Sequence, residues 1–405
     1  MTLVVAAAAV LGAAASGALP CDIFATHGTP CVAAHSVVRA LYADYDGPLY
    51  QVVRTADGES VNVTTLGRGG YADVAAQESL CAAAPEPQQP HAAWPWAPGP
   101  CCDVFRDQNC PDNCDKKSPG ACPSNPGCVG CADCGAPSRQ PALATCMMSR
   151  IFDQSAQGNH LHVTGHPDGL GAVAKGGRLF AGAQATGTNA SADPLRVDGH
   201  RVYSAYFEGG MGFRTNTTRG IPTGDEPETI YMVASGQHYN DHCCFDYCNA
   251  EIGTWPNTTN NLTFARGLME CAYVGNGYGY SDGPHVLADL EMGVYGGGPG
   301  GVNGSYTGIN ASFITAMVKG DSGNHWAIKW GDAQGGPLHT AFDGERPSAA
   351  YTPMKKPGGL VLGLGGDTSN GGVGTFYEGV VTRGYTSDAA DDAVQANIVS
   401  ARYGQ

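Results

Sequence analysis

GPHVLADLEMGV, residues 283–294, reads as a buried strand that carries two carboxylates. In an extended segment successive side chains point to opposite faces, so Asp289 and Glu291, two apart, project from one side. Ala288, Leu290 and Met292 face the other way and pack into a core. Like charges side by side repel, and carboxylates are costly to desolvate. A strand that gathers two acids on one face therefore either solvates them or puts them to use.

Outward from this stretch the chain repeats one pattern. Short apolar runs at Pro48 to Arg54, Arg201 to Phe207, Glu228 to Ser235, Ser312 to Gly320, His325 to Gly331, Gly359 to Gly366 and Gly374 to Gly384 alternate with Gly, Asp and Asn turns. That spacing predicts an all-β sandwich or barrel. His35 to Tyr42 reads as one short helix, and the apolar spacing of Asp391 to Gly404 as a second, packed at the carboxyl end. With 59 glycines among 405 residues and only 15% charged residues, the composition also favours strands and tight turns.

A net charge of −15 and a pI near 5.1 argue against a nucleic-acid or anionic-membrane partner, which needs a basic face. Residues 1–18 are apolar and end in small residues, Ser16 and Ala18, as a secretory signal does. No later stretch is apolar for long enough to span a membrane. Sixteen cysteines and seven glycosylation sequons (Asn62, Asn189, Asn216, Asn257, Asn261, Asn303 and Asn310) also point to export into an oxidising compartment.

Residues 19–405 read as one unit interrupted at 82–145 by a segment rich in Pro, Ala, Gly and Cys. Such a segment cannot fold by burying apolar surface and needs cross-links. Its CVGCADC run (Cys128 to Cys134) has the spacing of part of an iron–sulfur or zinc site, but in an exported chain disulfides are favoured. Cys21 and Cys31 bracket a short loop that most simply closes on itself. The adjacent Cys243 and Cys244 are too close for ordinary bridging, so their default partners lie elsewhere, for instance Cys248 and Cys271. A bridge between the neighbours themselves would be a strained ring, of the kind found at functional sites.

Two features near the acids carry chemistry. GLGGDTSNGG (Gly363 to Gly372) lacks the Lys-Ser or Lys-Thr of a phosphate loop, but it sets Asp367 on a turn at the end of a buried strand. His238, Asp241 and His242 cluster without any H-E-x-x-H pattern, so neither a metal nor a cofactor is expected. Two carboxylates facing a cleft suit glycoside hydrolysis, in which one protonates the leaving oxygen and the other attacks the sugar or activates water.

At this point the residues resemble glycoside hydrolase family 54, the fungal α-L-arabinofuranosidases of the B type. TPCVAAHS (Thr29 to Ser36), FDQS with GNHL (Phe152 to Leu161), HYND and CCFDY (His238 to Tyr247), DLE (Asp289 to Glu291), LGGD (Leu364 to Asp367) and GTFYEGV (Gly374 to Val380) carry the resemblance. It implies a concanavalin-like β-sandwich of jelly-roll type that removes terminal α-L-arabinofuranosyl groups with retention of configuration. It implies Glu291 as nucleophile, Asp367 as general acid/base, and sugar contacts from Asp289, Gly366 and a bridged Cys243–Cys244. It also implies the pairs Cys21–Cys31 and Cys81–Cys146, which leaves Cys248–Cys271 as an extra pair. A retaining pair lies roughly 5 to 5.5 Å apart. Asp367 has to start protonated, which a nearby Glu291 charge favours.

Met292 stands where relatives commonly carry Asn. The loop Gly275 to Pro284 is short and lacks a sugar-stacking Trp, for which Tyr278 or Tyr280 is the expected substitute. The expectation is a secreted monomer acting on arabinan- or arabinoxylan-type polysaccharide, without the arabinose-binding module that follows in relatives. The alternatives are a lectin-like sandwich that binds sugar without cutting it, and a same-fold enzyme for another furanoside.

Overall fold

The computed structural model describes residues 17–82, 145–163, 187–240, 245–252, 270–277, 279–290, 293–297, 301, 303–366 and 372–405. From the amino end the elements are α1 (Pro20–Thr26), β1 (Cys31–Ser36), β2 (Pro48–Arg54), β3 (Ser60–Thr64) and α2 (Ala75–Ala82). Next come β4 (Cys146–Ile151), β5 (Leu161–Val163), β6 (Pro194–Val197), β7 (His200–Tyr203), β8 (Ala205–Phe207) and β9 (Phe213–Thr215). Then follow β10 (Glu228–Ser235), β11 (Asp246–Ala250), β12 (Glu270–Gly277), β13 (Tyr280–Asp289) and β14 (Val294–Tyr295). The chain finishes with β15 (Phe313–Gly320), β16 (His325–Asp332), β17 (Gly335–Glu345), β18 (Gly359–Leu364), β19 (Gly374–Arg383) and α3 (Asp388–Ser400).

Two antiparallel sheets face each other. One runs β1-β19-β10-β15-β16-β17, with β8 sharing the β19 edge; the other runs β14-β13-β12-β11-β18-β9-β5-β4-β2-β3. The core between them draws Ile230, Met232, Val318, Ile328, Phe376 and Val381 from the first sheet, and Tyr247, Ala272, Val274, Val286, Ala288 and Leu362 from the second. Period-two alternation explains the split, since each strand sends every other side chain inward. The sandwich expected from the sequence is present, with the helix at its carboxyl end.

Several boundaries move, for physical reasons. No helix forms over His35 to Tyr42. Residues 35 and 36 complete β1, and the Ser36 hydroxyl accepts from the backbone N–H groups of Val38 and Arg39 (3.2 and 3.1 Å), turning the chain instead of coiling it. The amino-terminal helix lies earlier, at α1, where Pro20 opens the first turn and Asp22 accepts from the Leu19 N–H at 3.0 Å. The run Arg201 to Phe207 breaks at Ser204: β7 pairs with β6 in a separate hairpin, and β8 joins β19. α3 starts earlier than the apolar spacing indicates, because Ser387 caps it by accepting from Ala390 N–H.

Three disulfides are present among the described residues: Cys21–Cys31, Cys81–Cys146 and Cys248–Cys271. The first two match the family pairing and the third is the extra pair. Apart from Ala82 and Thr145 at its two ends, the insertion lies outside the described residues, as does the signal segment up to residue 16.

A buried charge pair ties the two ends of the chain together. Arg39 holds Glu378 with two contacts, Nε to Oε2 at 2.6 Å and Nη2 to Oε1 at 2.8 Å. Tyr403 donates to the same carboxylate at 2.8 Å, and Asn397 of α3 accepts from Arg39 Nη1 at 2.9 Å. Removing one member strands the other charge in the core, at a cost of about 3 to 5 kcal/mol. Glu378→Leu is therefore expected to lower the denaturant midpoint sharply, and adding Arg39→Met to recover part of the loss. Equal midpoints for wild type and Glu378→Leu would contradict this.

The sequons differ in access. Asn62 and Asn310 are exposed, whereas Asn216 is buried with its Oδ1 accepting from Arg214 Nε (3.0 Å) and Nη2 (2.6 Å). Glycopeptide mapping after expression in a glycosylating host is expected to find sugar on Asn62 and Asn310 and none on Asn216. A glycan on Asn216 of the folded protein would overturn the buried placement.

Candidate active site

Alternation along β13 sets the site face. Ala288 and Leu290 go into the core, as expected, while Leu287 and Asp289 point to the other face of the ten-stranded sheet. Residues directly opposite in antiparallel strands share a face. One row across the sheet is therefore Asp289, Cys271, Cys248 and Val361, and the next is Leu287, Tyr273, Asp246 and Leu364. All eight side chains are buried.

Asp246, fully buried, is the residue that sequence reading missed. It lies within the CCFDY segment, where its alternation with the core-facing Tyr247 is the signal that could have singled it out. Its carboxylate lies within 4.8 Å of the sulfurs of Cys248 and Cys271. Those sulfurs are joined to each other, so they offer no thiolate donors for a metal.

β13 ends at Asp289, and Leu290 N–H then donates to Gly293 O at 3.1 Å as the chain turns back into β14. The strand thus carries one of the two expected acids and stops before the second. Glu291, Met292, Asp367, Cys243 and Cys244 lie outside the described residues, as does Tyr278.

The anchors of two of these segments meet. Asn240 accepts from Val373 N–H through its Oδ1 at 2.6 Å, and its backbone carbonyl accepts from Asn276 N–H at 2.7 Å. His238 Nδ1 bonds Thr375 Oγ1 at 2.8 Å, and its ring stacks on Tyr206, with centroids 3.9 Å apart. Burial pushes the His238 pKa down, so the ring is neutral at ordinary pH. The segment that leads to Cys243 and Cys244 and the segment that follows the Asp367 turn are therefore neighbours at one end of the sandwich.

The strand bearing Asp289 is not brought to that end. Gly366 follows Leu364 by two residues, and Asp289 follows Leu287 by two in the opposite direction, with β12 and β11 between their strands. With β12 and β11 between them, the strands that carry Asp289 and lead to Gly366 lie about 14 Å apart across the sheet.

Tyr280 is committed elsewhere. It is buried, its ring packs on His285 and Tyr306, and its hydroxyl accepts from Asn303 N–H at 2.8 Å. It offers no open ring face to a sugar.

A double-sheet antiparallel sandwich of this kind is shared by jelly-roll and lectin domains. The chain belongs to a particular enzyme family within that architecture, because the family described as "Alpha-L-arabinofuranosidase B, catalytic" matches residues 20–85 and 119–404. The unmatched residues between these spans fall inside the cysteine-rich insertion.

The probable α-L-arabinofuranosidase B of Aspergillus fumigatus is 38% identical over 97% of the chain and 65% of its own length. The α-L-arabinofuranosidase B of Aspergillus oryzae is 38% identical over 98% of the chain and 66% of its own length. The protein named arabinofuranosidase/B-xylosidase of Trichoderma koningii is 37% identical over 99% and 66%. A solved arabinofuranosidase complexed with arabinofuranosyl-α-1,2-xylobiose superposes with a TM-score of 0.70 at 35% identity, covering 95% of this chain and 66% of that one. The chain thus spans about 65% of the length of the curated relatives it matches.

Proposed function

We propose that the chain is a secreted, retaining exo-α-L-arabinofuranosidase that releases terminal arabinofuranosyl groups from arabinan- or arabinoxylan-type polysaccharide. The observation that carries this reading is a family match running unbroken through both the D-L-E strand end and the G-G-D turn. In this reading Glu291 attacks the anomeric carbon to form a glycosyl ester while Asp367 protonates the departing oxygen. Asp367 then takes the proton from the water that releases arabinose. Asp289, Gly366 and the Cys243–Cys244 pair line the sugar pocket.

Three disulfides fit an oxidising compartment, and none of the described helices is long and apolar enough to cross a membrane. The test is hydrolysis of a panel of aryl glycosides, with the product anomer followed by proton NMR. Selective cleavage of the α-L-arabinofuranoside with initial release of the α anomer supports the reading. Selective cleavage of a different glycoside would reassign the substrate, and initial release of the β anomer would overturn retention.

A second reading is favoured by the offset between Asp289 and Gly366: a sandwich that binds the sugar without cutting it. It predicts measurable arabinoside binding with no turnover of any aryl glycoside.

A further inference from the structure

On the far side of the molecule from Asp289, the outer face of the seven-stranded sheet holds a cleft of about 290 Å³. Its placement follows from alternation along β19. Phe376 points inward against Tyr247, with centroids 5.6 Å apart, so Thr375 and Tyr377 on either side point outward into the cleft. Phe313, part-exposed, supplies the aromatic surface, with the buried ring of Tyr377 5.2 Å from it between centroids and Tyr403 packed against both.

The remaining lining is polar. The stacked pair of Tyr206 and His238 contributes, with planes only 5° apart, and so do the Gln237 amide and the Ser312 hydroxyl. Gln237 Nε2 and Ser312 Oγ are only weakly engaged with each other, at 3.4 Å and exposed. The single carboxylate, Asp193, is already engaged by the Ser204 hydroxyl at 2.8 Å.

The chemistry of this lining selects its ligand. An anion would meet only Asp193, with no opposing cation among the residues that line the cleft. A cation would find one carboxylate that already accepts a hydrogen bond. Aromatic rings beside amides and hydroxyls suit a neutral ligand with an apolar C–H face and several hydroxyls. Ligand pockets commonly run from about 300 Å³ upward, so this one admits one or two sugar rings.

We propose that the cleft lined by Tyr206, Gln237, Ser312, Phe313 and Tyr377 is a second carbohydrate-binding site, for a neutral pentose oligosaccharide, on the opposite outer face of the sandwich from Asp289. The choice of pentose rests on the proposed arabinofuranosidase function; the cleft's preference for a neutral polyol does not. A polysaccharide held on this face is presented repeatedly to the same molecule, which raises turnover on polymer and leaves small substrates unaffected.

The test is titration calorimetry of the full chain with xylotriose and, separately, arabinotriose. It is repeated for Gln237→Ala and for Ser312→Trp, which fills the cleft while leaving its aromatic surface in place. Binding of at least one trisaccharide is expected, with the dissociation constant rising at least about tenfold in both variants. Aryl arabinofuranoside hydrolysis is expected to stay within about twofold of wild type and polymer hydrolysis to fall, as loss of tethering requires. No trisaccharide binding, or equal binding by wild type and the folded Ser312→Trp variant, overturns the inference. Aryl hydrolysis without cleft-dependent binding sinks this proposal alone, and cleft-dependent binding without any aryl hydrolysis sinks the proposed catalytic function alone.

Discussion

Replacing Glu291 with Gln is expected to abolish release of the chromophore from an aryl α-L-arabinofuranoside, lowering kcat by about 10^4-fold or more. The amide keeps the size of the carboxylate but has no anionic oxygen with which to attack the anomeric carbon. Sugar binding should survive, because the pocket contacts proposed for Asp289 and Gly366 are untouched. A folded Glu291→Gln variant that binds arabinose but does not turn over therefore marks the nucleophile. Activity within tenfold of wild type would remove Glu291 from the mechanism. Added azide supplies a further check with Glu291→Ala, since a small external nucleophile can enter from the vacated side and leave a glycosyl azide of inverted configuration.

Asp367→Ala is expected to lose about 10^2- to 10^4-fold, as removal of a general acid/base typically does, and the loss should follow the leaving group. A disaccharide leaving group needs the proton and should suffer fully. A dinitrophenolate departs unaided, so glycosylation is spared and hydrolysis of the glycosyl enzyme becomes limiting. The alkaline limb of the pH profile, which reports deprotonation of the acid, should flatten. A uniform loss across all leaving groups would instead assign Asp367 to binding. If both variants behave as expected, the Glu291 and Asp367 carboxyls stand roughly 5 to 5.5 Å apart in the working enzyme.

The alternating runs made the sandwich legible because each strand is amphipathic with period two. β10 coincides with the apolar run Glu228 to Ser235, and β15, β16, β18 and β19 begin within a residue of their runs. The facing of Ala288 and Leu290 was legible for the same reason. Side-chain capping was not: Ser36 diverts a helix-like segment into a turn, and Ser204 splits one strand between two sheets. Cross-strand registry was equally hidden. Asp246 joins Asp289 on one sheet face only because three strands align, and the offset between Asp289 and Gly366 is a property of four strands together. A single-segment pattern carries no information on either. The chemistry of the candidate site was read from motifs shared with a family, and spacing alone would have stopped at two acids and a glycine turn.

The Cys81–Cys146 bridge holds its two Cα atoms 5.7 Å apart, so the long segment between them departs from and rejoins the sandwich at a single point. The bridge fixes the two ends of that segment relative to each other, whatever joins them. The segment's length and content can change over evolutionary time, or at the bench, with little strain passed to the strands on either side. The same fixed pair of ends offers a place to graft a reporter or a foreign binding domain onto an enzyme of this family.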